Sequence, residues 1–302
     1  MSAGRVLADI GNVPAGQGRW QREYRIGQSG TVDLGRILAQ VAVVPMACDR
    51  ATLVGVDGDE EMLAALTARE DGGTLRITGE IPFKPGGGSG PFSGTFYGSG
   101  IQVNNFSGGT FISSGGSSHA MIINGREVDL ARYVRIVVAV PAATSLKVSG
   151  LLGTAAIAGD LDGAVDFSPQ YTAELSAPGS VASLDGDVAG SGTATVGTVR
   201  GDASIEVSGS GRFSVGRASG AVTAEVSGSG HVTIAAGTSR SLRASVSGSG
   251  SVCHDGIVAG SARLRVSGSG RVTAATVRGS VDPKVSGSGQ ITANGQTYRP
   301  RW

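Results

Sequence analysis

Four cationic side chains in the C-terminal third of the chain recur at regular spacings. They are Arg243, Arg263, Arg265 and Lys284. Arg263 follows Arg243, and Lys284 follows Arg265, at intervals that match the length of the sequence repeat described below. Guanidinium and ammonium groups at such intervals can pair with the carboxylates or sulfates of an extended anion. The spacing predicts an exposed basic strip, which is the best candidate contact for an acidic polysaccharide or another surface polyanion. The favoured interpretation is that water, salt and the nearby Glu225 or Asp282 screen the four cations, and binding of a polyanion is the alternative.

Paired carboxylates would indicate different chemistry, since polysaccharide-cleaving β-helix enzymes need clustered acids or a metal ion with a basic partner. The close acidic pairs of the repeat region are Asp160/Asp162 and Asp185/Asp187. Each lies in an Asp-x-Asp or Asp-Gly-Asp sequence that favours a turn, which is the preferred interpretation. The calcium-binding nonapeptide of repeat toxins is absent. We therefore predict no catalytic residue, no metal site and no cofactor.

The histidines and cysteines are scattered and form no recognisable catalytic or metal-binding spacing. Cys253 falls in a column of small hydroxyl residues, which favours a structural role. His254 falls in an inward column, where a buried neutral imidazole needs a hydrogen-bond partner. A local structural accommodation, including a coil distortion that turns the side chain outward, is favoured over a ligand site.

These side chains are positioned by a repeat, Val-Ser-Gly-Ser-Gly. Its copies begin at Val207, Val226, Val246, Val266 and Val285, with a variant at Val188. The interval from each of these valines to the next is nearly constant. A unit this short cannot bury its apolar side alone, so neighbouring units must stack as coils. The repeat predicts an all-β parallel β-helix (β-solenoid) with roughly 19–20-residue coils, about eight of them over residues 143–298.

Side chains alternate within each unit, as expected for strands with one buried face. In one unit Ile205 and Val207 face inward, whereas Glu206 and Arg212 face outward. The serines of the repeat fall on the outer side. The glycines fall in inward register, where a corner leaves no room for a Cβ or the backbone needs φ > 0. The four cations of the strip occupy outward positions, and Arg212 and Arg271 are predicted on a neighbouring face.

Composition agrees with a thin solenoid. The 302 residues include 51 glycines and only 5% aromatic residues, with 40% hydrophobic residues overall. The net charge is +1, but residues 200–302 carry 12 Lys or Arg against 5 Asp or Glu. A solvated face with mixed charges is the favoured interpretation, and an anionic partner along the C-terminal coils is the alternative.

The remaining chain divides into regions of different character. We predict an N-terminal segment (1–30), an N-terminal β part of the solenoid (31–142) with a partly ordered glycine-rich insertion (85–118), regular repeats (143–298) and a tail (299–302). Apolar runs at 37–44 and 52–56 predict buried strands. Asp57-Gly58-Asp59 predicts one short helix at 60–68. Asn124-Gly125 predicts a hairpin.

Several motifs together resemble a known family. They are Val-Gly-Val-Asp-Gly-Asp-Glu-Glu-Met-Leu (54–63), Gly-Gly-Thr-Leu-Arg-Ile (72–77), Val-Ala-Val-Pro-Ala-Ala-Thr-Ser-Leu-Lys-Val-Ser-Gly (138–150), the repeated Val-Ser-Gly-Ser-Gly and the closing Gly-Ser-Gly-Gln-Ile-Thr-Ala-Asn-Gly-Gln-Thr-Tyr (287–298). Over about residues 30–298 the chain resembles the auto-transporter adhesins with a head GIN domain. The resemblance implies a single-stranded parallel β-helix with a surface or adhesin-like role, and it brings no catalytic residues.

Three classes of function follow. A non-enzymatic, adhesin-like binding or structural protein is favoured by a basic ladder without a carboxylate cluster. A self-assembling intracellular scaffold would need a bare apolar end coil. A carbohydrate-active β-helix enzyme would need a cleft with convergent acids.

Location and partners are predicted from what the sequence contains. The first residues lack the apolar core of a secretory signal, and no run approaches the length of a membrane span. The chain is therefore expected in the cytoplasm or exported by a non-classical route. A nucleic-acid partner is not expected.

Overall fold

The computed structural model of the protein describes residues 22–27, 29–57, 60–79, 101–106, 109–114, 120–123, 126–129, 134–169 and 173–300. Within these ranges the chain forms 28 strands and one short helix. The strands build a β-solenoid of about 8 turns with a spacing of about 19 residues. The predicted fold class is confirmed.

The N-terminal elements match the apolar runs of the sequence. They are β1 (Arg22–Tyr24), β2 (Thr31–Leu34), β3 (Ile37–Met46), β4 (Ala51–Asp57), α1 (Glu60–Ala65), β5 (Thr67–Asp71) and β6 (Thr74–Thr78). The predicted strands at 37–44 and 52–56 lie within β3 and β4. The helix predicted to residue 68 ends at Ala65, because the chain from Thr67 pairs antiparallel with β6. Tertiary pairing thus overrides the local helix preference.

Two hairpins follow in the chain. Their strands are β7 (Ile101–Phe106), β8 (Gly109–Ser114), β9 (Ala120–Ile123) and β10 (Arg126–Asp129). In the second hairpin Ile123 pairs with Arg126, which confirms the predicted two-residue connection. The connecting Asn124-Gly125 itself lies outside the described residues. Strands β7 and β8 lie inside the glycine-rich insertion, and residues 80–100 of the chain, which include the start of that insertion, also lie outside the described ranges.

The remaining strands build the coils. They are β11 (Val134–Pro141), β12 (Ser145–Val148), β13 (Leu151–Ile157), β14 (Leu161–Phe167), β15 (Ala173–Gly190), β16 (Thr193–Val199), β17 (Ala203–Gly209), β18 (Arg212–Ala218), β19 (Ala221–Gly228), β20 (His231–Ala236), β21 (Thr238–Ser239), β22 (Ser241–Gly248), β23 (Ser251–Val258), β24 (Ala262–Gly268), β25 (Arg271–Val277), β26 (Val281–Ser286), β27 (Gln290–Ala293) and β28 (Gln296–Tyr298).

One parallel ladder runs the length of the coils and contains the repeated valines. Its strands are β12, β14, the end of β15 (184–190), β17, β19, β22, β24 and β26. Its outward side is called the wide face below. Val207 pairs with Val188 on one side and with Val226 on the other, and the later valines continue the column. The predicted stacking of the repeats is confirmed.

A second ladder carries the next strand of each coil. It runs from β13 through the start of β15 (173–177), β16, β18, β20, β23 and β25 to β27. Phe213 pairs with Ala194 and with Val232 in its buried column. The side chains of both ladders meet inside, so the core is one thin apolar column shared by all coils. Each coil therefore depends on its neighbours for burial.

Antiparallel strands close both ends of the parallel stack. At one end β5 pairs with β6, and β4 pairs with β11 and β1. At the other end β28 folds back onto β27, with Tyr298 opposite Ile291. The repeat was expected to continue to residue 298, and this last segment instead caps the stack. On the wide face the final strand is β26, which pairs only with β24 among the described strands.

The two glycines of each repeat serve different purposes. Gly209 has a φ of 108°, a left-handed conformation that disfavours a Cβ. Gly211 is buried, and a Cβ there would lie 2.4 Å from Val188 Cγ1 of the preceding coil. Both expected reasons for a glycine therefore apply, but at different positions. Gly209 has a positive φ, and Gly211 has no room for a Cβ. The inward placement is wrong for Gly209, which is exposed at the corner.

Candidate binding face

The structure brings the four cations of the predicted basic strip together on the wide face. Arg243 of β22 pairs with Arg263 of β24, and Arg265 of β24 pairs with Lys284 of β26. Neighbouring strands of a sheet are about 4.8 Å apart. The strip therefore covers three successive strands at the C-terminal end of the solenoid.

Asp282 lies inside the strip and partly neutralises it. Its Oδ2 accepts a hydrogen bond from Arg265 Nη2 at 2.7 Å and lies 3.5 Å from Arg263 Nε. The Arg265 hydrogen bond, followed by the charges of Arg265, Lys284 and Arg263, lowers the pKa of Asp282. Arg265 also donates from Nη1 to the backbone oxygens of Leu264 and Asp282. This arginine is thus held in place by the end of the solenoid.

The other two cations are available to a partner. Arg243 and Lys284 are exposed, and neither forms an ion pair within 4.0 Å among the described residues. Glu225, which was expected to screen the strip, stands opposite Ser245 rather than an arginine. Asp282 therefore screens part of the basic strip, whereas Glu225 forms no ion pair with the described cations of the strip.

The first acidic pair partly behaves as the sequence predicts. Asp160 precedes β14 and accepts hydrogen bonds from the backbone nitrogen and Oγ of Ser180, at 2.7 and 3.0 Å. These bonds lower the pKa of Asp160. Asp162 lies in β14 and pairs with Arg200 at 2.6 Å. Both carboxylates therefore hold neighbouring coils together.

The second acidic pair is not a turn. Asp185 and Asp187 lie within the continuous strand β15, and both point outward on the wide face. The glycine between them is buried, and a Cβ on Gly186 would lie 2.4 Å from Phe213 Cε2. Gly186 is therefore required by the bulk of the Phe213 ring. The Asp-Gly-Asp sequence was misinterpreted because it matches a turn motif.

Further acids extend this pair into what is called the acidic patch. Its members are Asp185, Asp187, Glu206 and Glu225, on the consecutive strands β15, β17 and β19. Burial, followed by the neighbouring charge of Asp185, raises the pKa of Asp187. Among the described residues no group of three or more acidic, histidine or cysteine side chains could hold a metal ion. The sequence interpretation missed the patch because the alignment of outward columns was applied to the cations and not to the acids.

The neighbouring face carries the other predicted arginines. Arg212 of β18 and Arg271 of β25 belong to one outward column that also contains His231. His231 Nδ1 lies 2.9 Å from Ser251 Oγ. In the amide orientation that its surroundings require, the Gln290 side-chain oxygen accepts from Arg271 Nε at 2.8 Å. These cations are spread over a longer distance than those of the strip.

His254 is accommodated inside the solenoid. It is fully buried, and its Nε2 lies 2.8 Å from the Oγ of Ser239, which is also buried. Burial lowers the pKa of His254. The predicted structural accommodation is present, but the side chain does not turn outward. Ser239 pairs with Val258 in an otherwise apolar column, which is the sequence signal that could have identified the partner.

Cys253 occupies the hydroxyl column that the sequence predicted, between Thr233 and Thr273. Its Sγ donates to Asp255 Oδ1 at 3.1 Å. Burial and the Asp255 carboxylate raise the pKa of the thiol to about 11. The thiol is therefore protonated at neutral pH and a poor nucleophile.

A groove lies on the β5–β6 hairpin at the N-terminal end of the solenoid. It is lined by Thr67, Arg69, Asp71, Thr74, Arg76 and Thr78. Arg76 Nε donates to Asp33 Oδ2 at 3.0 Å. The described residues of the lining include one carboxylate, whereas most glycoside hydrolases use two across the scissile bond.

Comparison with protein families identifies the regular coils. Residues 189–297, from the end of β15 into β28, match the family model described as "Putative auto-transporter adhesin, head GIN domain". The resemblance to the head GIN domain family is confirmed. The match covers the C-terminal coils of the 30–298 range that the motifs predicted. The basic strip lies entirely within the matched coils.

Solved structures extend the likeness of fold beyond the matched coils. A putative adhesin from Parabacteroides distasonis is 11% identical, with a TM-score of 0.50, and the match covers 92% of this chain and 98% of that one. A putative adhesin from Parabacteroides merdae is 12% identical, with a TM-score of 0.50 and coverages of 92% and 97%. At such identities the similarity shows a common fold alone.

No curated protein matches the sequence. In the part of the chain that the structure describes, no helix is long and apolar enough to cross a membrane.

Proposed function

We propose that this protein is a non-enzymatic, adhesin-like binding module whose basic strip contacts an acidic polysaccharide or another surface polyanion. The observation that carries the proposal is the placement of Arg243, Arg263, Arg265 and Lys284 on three adjacent strands with one carboxylate among them. The family description as an adhesin supports a role in binding surface material.

The strip suits an anion with repeated charges. Arg243 and Arg263 present their guanidinium groups on neighbouring strands, about 4.8 Å apart at the backbone. Each can pair with a carboxylate or sulfate in two-pronged geometry. Lys284 adds a mobile ammonium at the final strand. Asp282 restricts the anion, because a bound group near Arg265 must compete with that carboxylate.

The proposed location is the cell surface or the exterior. A binding module for surface polyanions acts where those polymers are exposed, and the family is described as an adhesin. The cytoplasmic expectation from the first residues of the sequence finds no support in this family.

The C-terminal end of the solenoid argues against the alternative of a self-assembling scaffold. Strand β26, the last strand of the wide face, contains Pro283 between Asp282 and Lys284. Proline removes a backbone donor, and flanking charges oppose pairing with another sheet edge. Beside it, β28 already covers β27. Stacking of solenoids end to end through these strands is therefore unfavourable.

Retention on an immobilised polyanion series tests the proposed function. The series would include a polyuronate and a sulfated polysaccharide, with elution by salt. We expect an Arg243→Thr/Lys284→Ser variant to bind about 2- to 30-fold more weakly at low salt, because two exposed ion pairs are lost. Thr and Ser are the residues that earlier coils place in these columns, at Thr223 and Ser245.

The matched control removes two cations from the neighbouring face. Arg212→Ser/Arg271→Ser has the same net charge as the strip variant, and Ser251 already occupies that column. We expect this control to be retained almost like the parent. Equal weakening of both variants would indicate a response to net charge only and would reject the strip as the site.

A further inference from the structure

The wide face carries two opposite charges side by side. The acidic patch occupies β15, β17 and β19, and the basic strip occupies β22, β24 and β26. The boundary lies between β19, with Glu225, and β22, with Arg243. None of the four acids forms an ion pair within 4.0 Å with a described residue. Neither half of this surface is neutralised by the other.

The like charges within each half of the wide face destabilise the folded chain. Glu206 pairs with Glu225 on one side of the boundary, and Arg243 pairs with Arg263 on the other. Like charges directly opposite each other on neighbouring strands are destabilising. The fold does not require them, since Ser245 stands in the same column as Glu225. A polyanion would compensate the basic strip alone, and the acidic patch would repel its continuation along the solenoid.

A partner that compensates both halves must carry the same two charges in the opposite order. A second copy of this chain does so. We propose that two copies dock through their wide faces, with the solenoids antiparallel and related by a two-fold axis that runs along the strands between β19 and β22. This proposal does not rest on polyanion binding, although both would use Arg243 and Lys284.

The two-fold axis determines which strands face each other. Rotation about an axis parallel to the strands preserves position along each strand and reverses the order of the strands. Strand β15 then faces β26, β17 faces β24, and β19 faces β22. This arrangement sets Asp187 opposite Lys284 and Glu206 opposite Arg265, and Glu225 comes beside Arg243. It also sets Asp185 opposite Asp282, whose carboxylate is already bonded to Arg265 and lies near Arg263. The interface is self-complementary, as two-fold interfaces are.

The expected association is weak and sensitive to salt. Six strands at about 4.8 Å, each about 23 Å long, give about 650 Å² per copy, which is near the lower limit of specific interfaces. The contacts are charged and hydroxyl side chains with little apolar area. Electrostatic attraction therefore dominates, and it acts over about 30 Å at 0.01 M salt but only about 3 Å at 1 M.

Sedimentation velocity of the full chain over a concentration series tests the proposal. We expect a reversible dimer at about 0.01 M salt and a monomer at about 1 M. An Asp187→Lys/Glu225→Lys variant places a cation opposite Lys284 and another beside Arg243, and an Arg243→Glu/Lys284→Glu variant places a carboxylate opposite Asp187 and another beside Glu225. Each variant alone should remain monomeric at low salt. An equimolar mixture of the two should form a heterodimer, because the substituted positions again face groups of opposite charge.

Matched controls separate this interface from others. Arg212→Glu/Arg271→Glu changes the same amount of charge on the neighbouring face and should dimerise as the parent does. Far-ultraviolet circular dichroism verifies that each variant retains its strands. A parent chain that stays monomeric at low salt overturns the proposal. So does a dimer that persists in both reversed variants, or a folded mixture that fails to associate.

Discussion

The interior of the coils and the wide face differ in what repeats. One inward column reads Ile205, Ala224, Ala244 and Leu264, so these four coils each place an aliphatic side chain there. The adjacent outward column reads Glu206, Glu225, Ser245 and Arg265, so its charge changes from negative through neutral to positive. Both columns lie on the same backbone ladder. Folding therefore restricts the volume of the inward side chains. The charge of the outward side chains can vary and can serve association.

The largest effect expected from this difference comes from adjacent residues of β18 that face opposite ways. Phe213 is fully buried, and Phe213→Ala should lower the free energy of unfolding by about 3–5 kcal/mol, through lost burial and the remaining cavity. Arg212 is exposed, and Arg212→Ala should change the free energy of unfolding by less than about 0.5 kcal/mol. Urea denaturation measures both. Similar losses for the two variants would contradict the division between interior and surface.

The fit of Phe213 against Gly186 sharpens the same comparison. Gly186→Ala forces a Cβ against the ring and should cost about 1–3 kcal/mol in the parent. In the Phe213→Ala background the same change should cost much less, because the ring is gone. A double-mutant cycle measures this coupling. Additive losses would show that Gly186 is required for another reason.

A second contrast compares neighbours at the corner of one repeat. In Gly250→Ala the new Cβ would lie 2.4 Å from Gly230 O and 2.5 Å from Val226 Cγ1 of an adjacent coil. We expect a loss of about 1–3 kcal/mol in the free energy of unfolding. Ser249→Ala, at the exposed position before it, should be close to neutral. Thermal or urea unfolding of the pair provides the measurement, and a costly Ser249→Ala would indicate that the outer serines stabilise the coil.

The buried polar pair gives a pH-dependent effect. The pKa of His254 is lowered from 6.5 by burial, so below pH 6.5 the unfolded chain binds a proton that the folded protein excludes. The free energy of unfolding should therefore fall as pH decreases from 6.5, by up to about 1.4 kcal/mol per pH unit, until the folded pKa is reached.

The control for this effect is a His254→Leu/Ser239→Ala variant, which removes the titrating group and its partner together. Its unfolding free energy should lose that pH dependence between pH 7 and 5. Titration of Asp187 and other groups is common to both proteins and cancels in the difference. Parallel pH profiles for parent and variant would show that His254 titrates equally in the folded and unfolded states.

Sequence periodicity predicts the coils well because the repeated valines and glycines meet the same steric demand in every turn. Periodicity fails to predict contacts between residues that are far apart in the sequence. Strands β2 and β3 insert beside β12 and β13, with Val32 paired to Leu146, and no local pattern indicates this. Gly186 was assigned to a turn because the Phe213 ring that requires it lies in a later coil.

The binding face was likewise only partly predictable. Parity placed the four cations outward and side by side, which the structure bears out. The bond between Asp282 and Arg265 depends on side-chain geometry that a sequence does not contain. The acidic patch could have been found by applying the column alignment to acids as well as to cations.

The smallest stability effect is expected on the wide face itself. The Arg243→Thr/Lys284→Ser variant should unfold within about 0.5 kcal/mol of the parent, or be slightly more stable, because it relieves repulsion between adjacent cations. Urea denaturation at low salt, at a protein concentration too low for the proposed dimer to form, provides the measurement. A loss above about 1 kcal/mol would mean that these cations stabilise the fold, and the contrast with the interior would fail.

The most direct test of the central claim is to map where a polyanion binds. Amide chemical shifts of isotope-labelled protein would be followed by NMR during titration with a polyuronate or sulfated oligosaccharide at low salt. The proposed function predicts shifts concentrated at the outward residues of β22, β24 and β26, which disappear at high salt. Shifts concentrated on the Arg212/Arg271 face, or at the β5–β6 groove, would contradict the assignment of the basic strip as the binding site.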